Sequence, residues 1–307
     1  MEKLIRKVLD KYNSGRKKLP NQDLARLIVA HIRVGLDGKK GWYLDLSDYD
    51  LDINMWSNSD GDQLKNIFLK LEKLKLSNDA KELMNISMLT NAFSPKKNIS
   101  REEFLEFKSN WLIKNADLNL IETYLTKNKI INSHTKLTKY FLDENLSVAN
   151  IDEACELFKK NLEAINDEYI SKYNIYCLIK DNKIEEAQLI YDLKKELGFK
   201  DEYFEKKISY LFNFSPKIDE AISEKSIFDF YLAHQTNPNF SFEPKENTKK
   251  IIWRYLSSAN LLDAFKEIEI TDLDKISLVE KAVNNKNYPE KDLLNLYKRF
   301  QFNINQL

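Results

Sequence analysis

Apolar residues recur three and four positions apart along almost the whole chain, the spacing that places them on one stripe of an α-helix. Leu4, Ile5, Val8, Leu9 and Tyr12 make a first stripe, and Leu24, Leu27, Ile28 and Val34 make a second after Pro20 and Asn21. Gly35, Gly38 and Gly41 stop that pattern, and residues 42–60 (WYLDLSDYDLDINMWSNSD) show no clean period. The helical spacing resumes with Leu64, Ile67, Phe68 and Leu71, and Ser77 reads as the cap of a further helix before Pro95 ends the pair. At Ser100, with Glu103 three residues on, a capping box is expected ahead of Phe104, Phe107 and Trp111. Beyond the loop at 237–247 (NPNFSFEPKEN), helical stripes continue through Ile251–Leu256, Leu261–Ile268, Ile276–Val283 and Leu293–Phe300.

A longer period lies over the short one. IDEACELF at 151–158 and IEEAQLIY at 184–191 match at their apolar, acidic, Glu, Ala and aromatic positions, and IDEA returns at 218–221. LNLI at 118–121 keeps the register without the Glu-Ala pair, and fourteen residues ahead of the four strings stand Phe104, Leu137, Ile170 and Phe204. Offsets of 33 and 34 residues are those of a helix-turn-helix repeat. Each unit reads as helix A, a polar turn such as Asp181-Asn182-Lys183, and helix B. In one such unit helix A presents Ile170, Tyr173, Cys177 and Leu178, and helix B presents Ile184, Ala187, Ile190 and Tyr191. One helix pair cannot enclose such stripes, so neighbours are expected to stack, with Ala154, Ala187 and Ala221 allowing close approach and Leu157 and Ile190 in the seam.

The expected fold is therefore all-α, an α-solenoid of stacked antiparallel helix pairs without significant sheet. The segments are N-terminal helices plus an irregular Gly/Asp-rich loop (1–60), a helical hairpin (61–100), helical-pair repeats (101–236) and a helical continuation (237–307).

Glu153, Ala154 and Phe158, then Glu186, Ala187 and Tyr191, resemble the second helix of tetratricopeptide-like repeats, over roughly residues 101–230. The chain departs from that pattern at Leu142 and Ile175, Asn161 and Lys194, Asn166 and Phe199, and Lys225. The resemblance implies stacked helical pairs with a concave, peptide-contacting side. The Met55-Trp56 segment and TNAFSP (90–95) also look like those of an uncharacterised group of alphaproteobacterial helical proteins, a likeness that implies no activity.

Composition changes this picture little. Six Gly and six Pro in 307 residues leave little turn chemistry for hairpins, and 48 basic against 48 acidic residues remove the long-range field that draws proteins to phosphate backbones. Nucleic acid is thus a disfavoured partner. No stretch approaches a membrane-spanning length, and residues 1–13 hold no apolar run of signal-peptide length. A cytoplasmic chain is expected, or a periplasmic one if the true N-terminus lies further upstream.

Cys155 and Cys177 lie in helical patterns without a second ligand at metal spacing, and read as small core residues rather than a zinc site or a disulfide. The carboxylates Asp45, Asp48, Asp50, Asp52, Asp60 and Asp62 fail a calcium-loop frame: with Gly61 at the sixth position, Trp56 falls at the first and Ile67 at the twelfth. His31, His134 and His234 stand far apart without a paired motif, and Trp42, Trp56, Trp111 and Trp253 read as packing residues.

Nothing supplies chemistry, so no enzyme, metal or cofactor is expected, and the leading reading is a scaffold for protein or extended peptide. A substrate-guiding helical domain of a larger enzyme and an RNA-binding repeat array are the alternatives. The candidate surface is a ladder. Lys139, Lys172 and Lys206 share one register position, with Tyr169 and Tyr203 three residues before the last two and Tyr176 and Tyr210 four residues after. Such Tyr-Lys-Tyr trios, placed away from Ile170 and Cys177, would hold an acidic segment between ammonium groups and rings.

Overall fold

A computed structural model of the chain describes residues 51–90, 92–127, 130–159, 164–262 and 268–300. Among them the fold is all-helical: thirteen α-helices, one isolated bridge between Asp60 and Lys97, and no strand. The two N-terminal helices expected from the pattern, the glycine loop, Trp42 and His31 lie outside the described residues. The chain divides into two compact units, Met1–Leu137 and Thr138–Leu307, a division inside the segment expected to carry the 33–34-residue period.

In the first unit α1 (Gly61–Lys73), α2 (Asn78–Leu89), α3 (Arg101–Asn115) and α4 (Leu118–Lys127) follow one another. Their starts are set by side chains that satisfy the free amides of a first turn. Asp60 accepts from the Asp62 and Gln63 amides, Ser77 accepts from the Ala80 amide, and Ser100 and Glu103 form the reciprocal capping box. Asp60 therefore serves as a cap, and it also takes Asn98 Nδ2 at 3.0 Å and Lys97 Nζ at 3.1 Å. Gly61 is required there, because a Cβ would lie 2.5 Å from the Ile99 Cβ. The core of this unit holds Met88, Leu112, Ile121 and Leu125, all fully buried, with Trp56 edge-on to Phe104 at 5.4 Å.

The second unit takes in almost all of α5 (Thr135–Ser147), then α6 (Ile151–Lys159), α7 (Glu168–Lys180), α8 (Ile184–Glu196), α9 (Glu202–Leu211), α10 (Ile227–Thr236), α11 (Lys250–Ser258), α12 (Leu273–Asn284) and α13 (Glu290–Arg299). The turn between α7 and α8 falls on Asp181, Asn182 and Lys183, with Asn182 in the left-handed region at φ 61°. The starts of α3, α5, α7 and α9 are residues 101, 135, 168 and 202, and those of α4, α6 and α8 are 118, 151 and 184. Phe104, Leu137, Ile170 and Phe204 are all buried, as are Ala154, Ala187 and Leu157. Ile190 is only partly buried and Ile184 is exposed, while Ala187 and Tyr191 are buried, the Tyr191 ring lying 6.0 Å from that of Phe204 in α9.

Two expectations fail. IDEA at 218–221 forms no helix, and Ala221 is exposed rather than in a seam. Asn213 ends α9 at φ 61°, and Pro216 then lacks an amide hydrogen and disfavours helical geometry at Ser215. The extended segment that results lies against α9: fully buried Lys207 donates to the Asp219 carbonyl, and Tyr203 OH donates to the Ala221 carbonyl at 3.2 Å.

The second failure concerns the cysteines. Cys155 of α6 and Cys177 of α7 are joined by a disulfide, with Cα atoms 5.4 Å apart. Helical patterning along the chain carries no trace of this pairing, because only the side-by-side packing of α6 and α7 brings residues 22 positions apart together. Cys155→Ser with Cys177→Ser, or reduction of the native chain, should lower stability by roughly 3 kcal/mol for a closed loop of this size. Denaturant titration with and without reductant measures this, and alkylation under non-reducing, denaturing conditions should label neither cysteine.

Candidate binding site

Each ladder residue has a partner of its own or sits apart from the others. Lys139 pairs with Asp167 at 2.7 Å and lies 5.9 Å from the Tyr169 ring centroid. Lys172 is 7% exposed, ion-paired to Asp201 and 3.4 Å from Asp229, with its ammonium over the Phe204 ring at 5.6 Å. Lys206 is exposed and pairs within its own helix with Glu202 at 2.8 Å. Tyr169 OH and Tyr173 OH both donate to one oxygen of Asp143, at 2.7 and 2.8 Å. Tyr176 OH shares a 2.8 Å hydrogen bond with Tyr231 OH, and Tyr203 OH donates to the Asp229 carbonyl at 3.0 Å. Tyr210 is half-buried.

The structure thus buries Lys172 and Tyr176, sets the half-buried Tyr169 and Tyr203 on partners inside the fold, and leaves Lys206 and Tyr210 out of the cluster. The expected solvent-facing ladder is corrected by the packing of α7. This helix meets α6, α8 and α9, and α10 covers its remaining side through Phe228, whose ring lies 4.1 Å from that of Tyr173. No side of α7 is left for a ligand along this register. In α9 it is Lys207, one position on from Lys206, that turns fully inward.

Electrostatics support an interior role. Burial pushes the Asp143 carboxyl up, against the two tyrosine hydroxyls that favour its charged form. Burial pushes Asp201 the same way, yet the Lys172 ammonium and the Phe204 amide outweigh it and hold Asp201 below the usual carboxylate range. The tyrosine hydroxyls at 169, 173 and 231 are all raised, foremost by burial.

His134 is not isolated. Its Nε2 lies 3.1 Å from Tyr124 OH and its Nδ1 lies 3.4 Å from Ser109 Oγ, while Ser109 donates to the Leu105 carbonyl at 2.9 Å. Beside it Lys108, 2% exposed, donates to the Thr90 carbonyl at 2.8 Å and sits over the Tyr124 ring at 5.3 Å. Burial depresses Lys108 to about 7, and burial with the Lys108 and Arg101 charges depresses His134 to about 3. With the Ser109 proton committed to a backbone carbonyl, this group acts as a polar core. His234 likewise meets Tyr255 OH at 2.6 Å.

The feature that sequence reading missed is on α8. Leu189, Leu193 and the cap residue Leu197 are 61%, 50% and 83% exposed, at a spacing of four that puts them on one side of the helix. Ala187 and Tyr191 are buried on the opposite side. Glu185, Asp192 and Glu196 flank the leucines and make no ion pair among the described residues. The spacing was legible in the sequence, but the same residues would suit a buried seam. The described residues contain no group of three or more His, Cys, Asp or Glu side chains placed to hold a metal, and no helix long and apolar enough to cross a membrane.

Compared with known proteins, the chain finds no match: no family model, no curated protein and no solved structure.

Two outcomes are expected from this geometry. Lys172→Met should destabilise by about 3 to 5 kcal/mol, because it leaves the buried Asp229 carboxylate and the half-buried Asp201 carboxylate without their shared cation, whereas Lys206→Glu should change stability by less than about 0.5 kcal/mol. Equilibrium denaturation of both variants separates the interior lysine from the surface one. The second concerns pH. Above about pH 7 native Lys108 has shed a proton that the unfolded chain keeps to about 10.5, so the unfolded state binds more protons and stability rises with pH across that window. The slope is up to about 1.4 kcal/mol per pH unit, to which Lys207, also depressed by burial, adds. On the acid side stability falls as pH drops from 6.5 towards about 3, since the unfolded chain takes up a proton that His134 refuses. Urea titrations from pH 7 to 9 should show a shallower rise in Lys108→Met than in the native chain; identical slopes would rule the account out.

Proposed function

We propose that this chain is a non-catalytic helical scaffold, a tetratricopeptide-like solenoid of stacked helix pairs, that binds a protein or an extended peptide. The recurrence of helix starts in α3 to α9 and the pairwise packing of α6 on α7 and α7 on α8 support the solenoid. The observation that carries the binding role is the leucine row of α8. Three leucines, each at least half exposed on one helix side, match the i, i+4 anchors by which a helix docks into an apolar groove or against a second helix.

Carboxylates beside the row that make no ion pair among the described residues favour a partner whose apolar anchors are flanked by lysine or arginine. This is opposite in sign to the acidic segment that a lysine ladder would hold. The disulfide supports an oxidising compartment for the mature chain, since such bonds are rare where glutathione and thioredoxin keep thiols reduced.

The experiment is affinity capture from the source cells with the native chain, with Leu189→Lys plus Leu193→Lys, and with Lys206→Glu as a surface control. All three should keep the native helical circular dichroism. Partners recovered with the native chain and the control should fall by about tenfold or more with the double variant. Equal recovery of the same partners by all three would end this reading.

A further inference from the structure

A cleft in the first unit, distinct from the α8 surface and independent of it, is enclosed by α1, the segment after it, α2 and α3. Its volume is about 390 Å³, within the range of small-molecule sites. Phe68, Phe107 and Trp111 form its aromatic wall, the two phenylalanine rings stacked at 5.2 Å with 23° between their planes. The Trp111 indole N–H is already taken by Asn85 Oδ1 at 2.9 Å, so the wall offers the cleft an apolar face.

Around that face stand Lys73, Lys75, Lys81 and Lys114, and among the described side chains no aspartate or glutamate contributes to the lining. Some surface lysines elsewhere in the described fold meet carboxylates, as Lys65 does Glu103, Lys136 does Glu106 and Lys281 does Glu246. Lys73, Lys75 and Lys81 have no ion-pair partner among the described residues. In a chain of zero net charge, several ammonium groups gathered around one partly apolar hollow create a local positive potential focused by low-dielectric walls. A ligand that relieves it must carry negative charge, and one that displaces water from the aromatic wall must carry an apolar body.

We propose that this cleft is a binding site for an organic anion with an apolar body, of which a medium-chain carboxylate is the simplest member. The carboxylate meets the lysine ammonium groups at the mouth, and the chain or ring lies along Phe68, Phe107 and Trp111. Isothermal titration calorimetry on the full chain with decanoate, decanol and decylammonium tests both halves of the requirement. Decanoate should bind at one site per chain, decanol at least about tenfold more weakly, and decylammonium should not bind. Lys75→Glu with Lys81→Glu, two side chains without ion pairs among the described residues whose change leaves the core untouched, should weaken decanoate by about tenfold or more with circular dichroism unchanged. Lys206→Glu, far along the chain in the second unit, should leave it unaltered. The proposal is overturned if decanoate fails to bind at millimolar concentration, if decanol or decylammonium binds as tightly, or if the double variant binds decanoate like the native chain. It is equally overturned if a short polyglutamate peptide competes as well as decanoate, since charge alone would then account for binding.

Discussion

The second unit depends on one enclosed helix. With α6, α8 and α9 packed on it and α10 against its remaining side, α7 buries Ile170, Ser171, Lys172, Tyr173, Ile175, Tyr176 and Cys177. The polar side chains that such a helix buries must be satisfied inside the fold, because an unpaired buried charge is far more costly than an unpaired exposed one. Lys172 meets this requirement by drawing Asp201, the cap of α9, and Asp229 of α10 onto one ammonium. Tyr173 and Tyr169 meet it on Asp143 of α5, Tyr176 on Tyr231, and Cys177 by its covalent bond to Cys155. Four neighbouring helices, α5, α6, α9 and α10, are thereby registered against α7 through directional contacts as well as apolar packing.

Two buried lysines show how environment decides what a charge becomes. Lys172 keeps carboxylates within reach on two sides, while Lys108 has only a backbone carbonyl and aromatic faces, and burial drives it towards the neutral amine. His134 beside it is pressed the same way and stays uncharged at neutrality, while Lys108 titrates there, so the charge of this polar core changes around pH 7. Both groups spend their hydrogen bonds inward. What the fold leaves facing outward is of another kind: a leucine row with acidic flanks on α8, and a lysine-rimmed aromatic cleft between α1, α2 and α3.

Sequence by itself determined the local architecture. Apolar spacing of three and four residues gave the helices, Ser77, Ser100 and Glu103 gave their starts, and Asp181-Asn182-Lys183 gave a turn, because each of these depends on residues within one or two turns of each other. The buried positions Phe104, Leu137, Ile170 and Phe204 were legible for the same reason. Only tertiary structure decided which faces meet. The trio Tyr169, Lys172 and Tyr176 shares a helix side on any reading of the sequence, yet that side is solvent or interior according to whether α10 covers it. The leucine row of α8 could equally have been a seam, and IDEA at 218–221 lost its helix to Pro216 and to contacts with Lys207 and Tyr203. The disulfide stands furthest from the sequence pattern, since its two cysteines meet only through the packing of two helices that chain periodicity treats as interchangeable with their neighbours.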